Sequence, residues 1–264
     1  MACMLCNTIK DITPYINADT HYCEYKYDGG RCIYDKGSFR GRENKKSHST
    51  NYTKKIPELE SHLSCILDGE LVYENPNMER YDRYLVLMRR LRITSSFAIR
   101  IQSKISPVVF VVFDILEING KDLRNLPLIE RKEILKHFKF DNPNFRKIEF
   151  STEIERTLFT AQEKGFEGII LKEINSTYEN KRSSKWLKYK FNTEKVINFN
   201  QFTYNDAGIR LTNGFDTIQI PKNIQQEIIS EINKKGNVNC EVEYLDKSKK
   251  GHIRFGVFKR IKNV

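Results

Sequence analysis

The sequence predicts an α+β protein in two parts, a larger part of strands interleaved with helices and a small β-rich tail. Three observations predict this. Segments of alternating or continuously apolar character, suited to strands, recur between residues 22 and 190. Between them, residues 78–104, 127–138 and 152–164 carry apolar side chains at helical spacing. After Phe191 the texture shifts to short β-prone segments punctuated by Asn and Gly, with one helical stretch near Ile224 to Lys234. The domain boundary is therefore placed there, giving 1–190 and 191–264. Short strands with one helix in about 75 residues fit a small barrel such as the OB-fold, a pattern other small β folds share.

Taken in order, Tyr22-Cys23-Glu24-Tyr25 alternates like a half-buried strand and runs into Lys26-Tyr27-Asp28-Gly29-Gly30-Arg31. Asp-Gly is a common hairpin dipeptide, so the plain reading of this hexapeptide is a charged surface turn. Residues 32–55 are polar and rich in Lys, Ser and Asn, predicting a hairpin followed by an exposed loop. Pro57 to Ser64 reads as a short helix and Cys65 to Tyr73 as a strand. Residues 78–104 set Arg80, Arg83, Arg89, Arg90, Arg92 and Arg100 among the apolar positions of a helix. Val108 to Leu116 is continuously apolar, the mark of a strand buried on both faces. Pro127 to Phe138 reads as a helix opening on proline, residues 152–164 as another. Glu167 to Lys172 and Lys185 to Phe191 are further strands.

With 39% apolar and 11% aromatic residues in 264, the chain can build a real core, which excludes wholesale disorder. Its 45 basic and 34 acidic residues leave a net charge of +11. That excess favours a polyanionic partner, nucleic acid or an anionic membrane face; a solubilising surface is the plain alternative, which charge alone does not exclude. No apolar run approaches the roughly 20 residues that span a bilayer. Met1-Ala2-Cys3-Met4-Leu5-Cys6 lacks the basic start and apolar centre of a signal peptide. The cysteines at 3, 6, 23, 32, 65 and 240 give Cys3 and Cys6 no second pair, so reduced thiols are expected rather than a four-ligand zinc site. A soluble, intracellular protein with no membrane association is expected.

Several segments place charged side chains at the ends of apolar strands. The first, Lys26 to Arg31, delivers a lysine to a glycine turn with an arginine beyond, which suits a nucleophile aimed at a phosphate. The others are Asp68-Gly69-Glu70, Phe113-Asp114, Glu167 to Lys172 and Lys185 to Lys190. In a strand, residues two apart share a face, so Lys188 and Lys190 point together with Trp186, while Leu187 and Tyr189 point away. Two lysines side by side repel unless an anion lies between them, and a triphosphate is an obvious candidate. Glu70 and Glu167 suit a divalent metal of the Mg²⁺ kind, held with waters and phosphate oxygens. Taken singly, each segment is also explained as the wet end of a strand.

Their order along the chain resembles a small, minimal two-domain ATP-dependent DNA ligase of the covalent nucleotidyltransferase superfamily. Lys26-Tyr27-Asp28-Gly29-Gly30-Arg31 matches the K-x-D-G-x-R nucleophile motif in full. Asp68-Gly69-Glu70, Val112-Phe113-Asp114-Ile115-Leu116, Glu167 to Lys172 and Lys185 to Lys190 match the motifs that follow it. The linker Asn119 to Leu128 with Arg131 is especially like the DNA-ligase branch. The resemblance covers roughly residues 20 to 262. It implies an adenylation (nucleotidyltransferase) domain of ATP-grasp-like antiparallel sheets with flanking helices, residues 1–190, and an OB-fold domain, residues 191–264.

It further implies that Lys26 attacks the α-phosphate of ATP, passes AMP to the 5′-phosphate of a nick, and that the 3′-hydroxyl then displaces AMP. An ammonium cannot attack, so the nucleophile must first lose its proton, a loss that neighbouring cations or a metal promote. Lys188 and Lys190 would meet the phosphates, and Phe113 would stack on adenine with Glu24 at its edge. Glu167 and Glu70 resemble the metal and ribose ligands, with Mg²⁺ or Mn²⁺ as the metal. Arg31 would contact the ribose or the DNA. The family's Ser-Arg-x-Gly element has its nearest match in Ser38-Phe39-Arg40-Gly41-Arg42, leaving Arg40 and Arg42 as alternatives at the nucleotide. The final motif, normally an arginine followed by Asp and Lys, is poorly kept in Phe258 to Val264, with Arg260 and Lys262 as candidates.

The implied partner is nicked duplex DNA, gripped by a monomer through basic residues such as Arg42, Arg89, Arg90, Arg92 and Arg182. The arginine cluster on the 78–104 segment is equally well explained as a solvated helix face. Alternatives within the superfamily are an RNA ligase and an mRNA capping guanylyltransferase, and outside catalysis an inactive nucleic-acid clamp. The expected setting is the cytoplasm or nucleoid, or a host cytoplasm if the source is viral.

Overall fold

A computed structural model describes residues 3–42, 50–248 and 251–262, and the chain divides into two units, Met1–Lys190 and Phe191–Val264. The first unit opens with strands β1 (Leu5–Thr8), β2 (His21–Lys26), β3 (Gly30–Asp35), β4 (Ser38–Gly41) and β5 (Cys65–Tyr73). Helices α1 (Arg80–Arg92) and α2 (Ser96–Ile105) lead to β6 (Val108–Ile118) and β7 (Lys121–Asp122). Then come α3 (Leu128–His137), β8 (Phe145–Lys147), β9 (Phe150–Ser151), α4 (Ile154–Glu163), β10 (Gly168–Glu173) and β11 (Arg182–Lys190).

These strands form two sheets, ordered β1-β11-β10-β2-β9 and β4-β3-β5-β6-β7, with β8 beside β6. Pairing is antiparallel apart from β1 with β11 and β6 with β8. One apolar cluster draws on both sheets, bringing Ile33, Val111 and Phe113 to Trp186. A second lies on the other face of the β6 sheet, beneath Leu87 and Leu91 of α1 and Leu135 of α3. Strand β6 feeds both: Phe110 and Val112 enter one cluster, Val111 and Phe113 the other. That double burial is why the run from Val108 to Leu116 shows no polar alternation.

Three sequence expectations change here. The Asp28-Gly29 link is not a hairpin, because β2 and β3 belong to different sheets and the link carries the chain from one to the other. Gly29 is needed for room: a Cβ there would stand 2.2 Å from the Leu71 carbonyl oxygen. The helical stretch of residues 78–104 is broken between Arg92 and Ser96, where the Ser95 hydroxyl accepts the Ala98 amide at 3.4 Å and starts α2 as an N-cap. Pro57 to Ser64 contains only a 3₁₀ turn at Pro57–Leu59. The Asn142 amide takes the Glu58 and Glu60 carbonyls at 3.0 and 2.8 Å, leaving them unavailable to a longer helix. The expected hairpin is β3–β4, and residues 43–49 of the expected loop lie outside the described residues.

The second unit comprises β12 (Thr193–Phe199), β13 (Gln201–Asn205), β14 (Gly208–Thr212), β15 (Thr217–Gln219), α5 (Gln225–Lys235) and β16 (Val238–Tyr244). The short β17 (Asp246–Lys247) and β18 (Ile253–Arg254) precede β19 (Val257–Ile261). Six of these strands make one sheet, ordered β12-β16-β19-β15-β14-β13. Helix α5 adds Ile228 and Ile232 to a core with Phe199, Leu211 and Val242, and stops where Gly236 turns left-handed at φ 77°.

Helix α3 is pinned to β6 by a fully buried ion pair. The Arg131 fork donates to both oxygens of Asp114 at 2.8 and 2.9 Å, and its remaining arm reaches the Leu126 and Ser176 carbonyls at 2.5 and 3.1 Å. Removing one partner leaves the other charge buried and unpaired, which costs about 3–5 kcal/mol. Asp114→Ala is therefore expected to lose that much stability in urea titration, and a loss below about 1 kcal/mol would show that the pair does not hold α3.

Candidate active site

A cavity of about 550 Å³ opens where the ends of β2, β3, β5, β6, β10 and β11 converge. Among the described residues six cations line it, Lys26, Arg31, Arg42, Lys172, Arg182 and Lys188, against the carboxylates of Glu24 and Glu70. An excess of that size in a recess selects an anionic ligand.

Lys26 is the last residue of β2, paired with Gly168 of β10. A Cβ at Gly168 would stand 2.0 Å from the Tyr189 carbonyl oxygen, so only glycine lets β10 and β11 close up behind the lysine. Lys26 Nζ donates to Glu167 Oε2, and Lys190 Nζ stands 2.7 Å from the other oxygen of the same carboxylate. Burial alone would push the Glu167 carboxyl up; Lys26 and Lys190 outweigh it and hold the group below the usual carboxylate range. Lys188 reaches the cavity one pleat before Lys190, beside Trp186. Burial, then Lys190 and Lys26, bring its ammonium below the ordinary lysine value.

Glu70 faces the same point from β5. Burial raises its carboxyl to about 7, although Lys26 and Arg31 pull the other way. Arg31, opposite Glu70 in the β3–β5 register, spends its fork on the buried Asp68 at 2.6 and 2.6 Å, and one arm also reaches the Met4 carbonyl at 3.1 Å. Tyr178 donates its hydroxyl to the same Asp68 at 2.6 Å, so the acid is saturated and the arginine is fixed.

Glu24 is buried, with Lys132 of α3 donating to one oxygen and Lys172 Nζ 2.7 Å from the other. Burial drives the Lys132 ammonium down to about 8, against the pull of Glu24. Lys172 stands off the hydrogen-bond direction of Glu24 and packs 4.2 and 4.1 Å from the ring centres of Phe113 and Trp186. Its Nζ and the Trp186 indole nitrogen are two buried donors without a hydrogen bond, both on the cavity wall. Such donors mark a place for a ligand's acceptors.

Of the residues singled out from sequence, Glu24, Lys26, Arg31, Glu70, Phe113 and Lys188 meet at this cavity, with Arg42 and Arg182 also on its wall. Glu167 and Lys190 join them through their contacts with Lys26 and each other. Arg40 does not. It points outward from β4, because Phe39 and Gly41 take the inward positions, and Arg42 is the arginine of that segment that reaches the cavity. Arg90 is a correction too: it is 2% exposed, and its fork grips Glu58 at 3.0 Å, so it braces α1 rather than offering a basic surface. Arg89 and Arg92 are exposed near the end of α1. Phe113 carries the Arg31 guanidinium at 4.5 Å from its ring centre as well as Lys172, so a base stacking there shares the ring with cations. In the second unit Arg260 and Lys262 both pair with Glu241, at 2.6 and 3.2 Å.

Sequence reasoning missed Lys132, Lys172 and the strand Leu5–Thr8, whose Leu5 and Cys6 line the cavity. Lys172 was within reach, since the two-residue period from Ile170 points it to the same face. The others had no local signal.

The sequence model of the family described as ATP dependent DNA ligase domain matches residues 1–190. The chain is 32% identical over 194 residues to the SPbeta prophage-derived DNA ligase-like protein LigB of Bacillus subtilis, a match covering 70% of this chain and 65% of that protein. It is 33% identical over 180 residues to a DNA ligase of Pyrobaculum islandicum, covering 64% of this chain and 30% of the other. A match at 29% identity to the bifunctional non-homologous end joining protein LigD of B. subtilis covers 80% of this chain and 36% of that one. The chain thus spans less than two thirds of the length of these relatives. Among solved structures, a Lig E DNA ligase superposes with TM-score 0.71 at 16% identity, over 99% of this chain and 100% of the other. Mycobacterial DNA ligase D complexed with ATP does so with 0.57 at 17%, over 99% and 95%. At such identities these two likenesses show the fold.

The raised Glu70 carboxyl fixes the sign of a pH effect. Its folded value near 7 lies above the ordinary 4.5, so the fold favours the protonated form. The stability this contributes is complete below the ordinary value and is lost as pH rises through 7. Glu70→Gln is expected to gain on the native protein in thermal melts above pH 7, the gap closing toward pH 5; parallel curves throughout would contradict the burial of Glu70.

Proposed function

The chain belongs to the ATP-dependent DNA ligase domain family, and from that premise we propose that it is a DNA ligase that seals nicks through a lysyl-AMP intermediate on Lys26. The observation that carries this reading is one amine at the end of a strand, held by a buried carboxylate and flanked by lysines in a cationic cavity. Among the described residues on the wall, Lys26 is the lysine that combines a position at a strand end with a carboxylate held against it.

In the first step the neutral Lys26 Nζ forms a bond to the α-phosphorus of ATP as the bond to pyrophosphate breaks. Glu167 holds the resting ammonium, so the proton must leave before attack. Lys190 and Lys188 face the charge that develops on the phosphate oxygens. In the second, an oxygen of the 5′-phosphate takes AMP from the lysine, restoring the amine. In the third, the 3′-hydroxyl attacks the activated 5′-phosphorus, closing the phosphodiester and releasing AMP.

At the base end, Glu24 accepts from the exocyclic amine of adenine, while the Trp186 indole N–H, which has no hydrogen-bond partner, and the Lys172 ammonium offer donors to its ring nitrogens or ribose. Phe113 supplies the apolar wall. Arg42 and Arg182, at the rim, meet phosphates of the nucleotide or the DNA. Among the described residues no group of three or more His, Cys, Asp or Glu side chains stands ready for a metal. Two carboxylates beside a phosphate site nonetheless fit Mg²⁺ or Mn²⁺, which Glu70 and Glu167 would hold together with phosphate oxygens and water. Bound there, the ion would supply positive charge to the phosphates.

The second unit is read as an OB-fold domain, supported by its short strands, single helix and separate core. Nicked duplex DNA is the proposed substrate, a monomer the proposed state and the cell interior the proposed setting. Among the described residues no helix is long and apolar enough to cross a membrane.

Incubation with labelled ATP is expected to leave a covalent AMP adduct that Lys26→Ala abolishes without unfolding the protein; an adduct that survives would place the nucleophile elsewhere. Labelling by GTP alone would sink the ligase reading. Lys188→Ala is expected to slow adduct formation by roughly 10²–10³-fold, the usual loss when one donor to a developing charge is removed. Rapid-quench measurement of adduct formation reads it directly.

A further inference from the structure

A second cleft, of about 340 Å³, lies on the far side of Tyr27 from the cavity just described. Tyr27 lines both, so the residue directly after the nucleophile is their common wall. Four cations edge the cleft: Arg80 and Arg83 of α1, Arg146 of β8, and Lys164 just after α4. Two carboxylates, Asp28 and Glu74, stand against them. The fold brings these cations together from three separate stretches of chain.

Their surroundings fix these side chains at the edge of the cleft. Arg80 donates to the Phe166 carbonyl, which anchors its stem beside the β2–β10 end. Arg146 forks on Glu74, one bond measuring 3.0 Å, so that carboxylate is already answered. Arg83 reaches the Asn75 carbonyl at 3.4 Å, and Lys164 hangs exposed over the Tyr25 ring, 5.6 Å from its centre. A guanidinium carries five N–H donors, and the one long bond of Arg83 uses only one of its set. Phe166 stacks on Tyr25 at 4.5 Å and meets Tyr27 edge-on at 5.0 Å, giving the cleft a stiff aromatic side.

We propose that this cleft binds the sugar–phosphate backbone of a nucleic-acid strand, as the seat of the strand that runs up to the adenylylated lysine. The inference rests on the ligase reading and adds to it a surface outside the nucleotide cavity. The two classes of phosphate, ATP and polynucleotide, both have to reach Lys26, and the nucleotide has its own cavity. A strand that presents its end at Lys26 must leave past one of the cavity's walls. Beyond Tyr27 it meets arginines placed for phosphate oxygens, a lysine able to follow them, and rings against which sugars pack.

The test uses the full chain with Arg83→Glu, Lys164→Glu and the two combined, and Lys164→Gln as a mild variant at an exposed position. Three quantities are measured: adduct formation with ATP, affinity for nicked duplex across a salt series, and AMP transfer to the nick from pre-adenylylated protein. The adduct is expected to form as in the native protein. Affinity for the duplex falls by about tenfold for each reversed charge, and the slope of log K against log salt drops by about 0.9 for each lost contact. Arg83→Lys restores most of the affinity. Unchanged affinity and slope in the double variant would overturn the proposal. So would slowed adduct formation with DNA binding intact, which would assign the cleft to the phosphates of ATP. If the native protein forms no adduct at all, the ligase reading itself fails, and the cleft proposal falls with it.

Discussion

One buried carboxylate organises the catalytic end of the molecule. Glu167 sits just before β10 and binds Lys26 at the end of β2 and Lys190 at the end of β11. Three adjacent strand ends are thus gathered on one acid, and the backbone reinforces the knot where the Glu167 amide donates to the Lys26 carbonyl at 3.1 Å. Without that acid, three lysines would crowd one recess with nothing to separate them. With it, Lys26 and Lys190 share one negative charge between them, and Lys188 is left facing the cavity at a lowered affinity for its proton. The arrangement is primed for an anion, because a polyphosphate can replace the carboxylate as the shared counter-ion.

A second layer of ion pairs stands behind the first. Arg131 on Asp114 ties α3 to β6, and the next residue of that helix, Lys132, reaches Glu24. Arg31 on Asp68 and Arg90 on Glu58 do the same for β3 and α1. Few of these pairs add much net stability, since desolvation offsets the attraction. What they give is direction. Each fork allows one orientation, and each aims a strand end or a helix at the cavity.

How much of this is legible in the sequence follows from where the signals are local. Strand β6 was legible because burial on both faces writes itself as an unbroken apolar run. The lysines at 26, 188 and 190 and the acids at 70 and 167 were legible because their order along the chain repeats a known pattern, and the structure brings all five to one point. Arg90 was not. Its helical neighbours give no hint that Glu58, 32 positions earlier, waits inside the fold. Arg40 failed for a smaller reason: one residue of strand phase separates a side chain facing the cavity from one facing water. The break at Ile93 to Ser95 was written in the Thr-Ser pair but hidden under good helical spacing on either side.

The Asp28-Gly29 link has a meaning beyond its motif. It is a short covalent tie between the two sheets at their shared opening, with Lys26 on one bank and Arg31 on the other. Gly29 lies against the Leu71 carbonyl with no space to bulge inward. The tie therefore works as a gauge: its length sets how far apart the banks stand, and so the width of molecule that fits between them. A chain with one more residue here would keep every charged group of the motif and still lose the spacing that makes them a site.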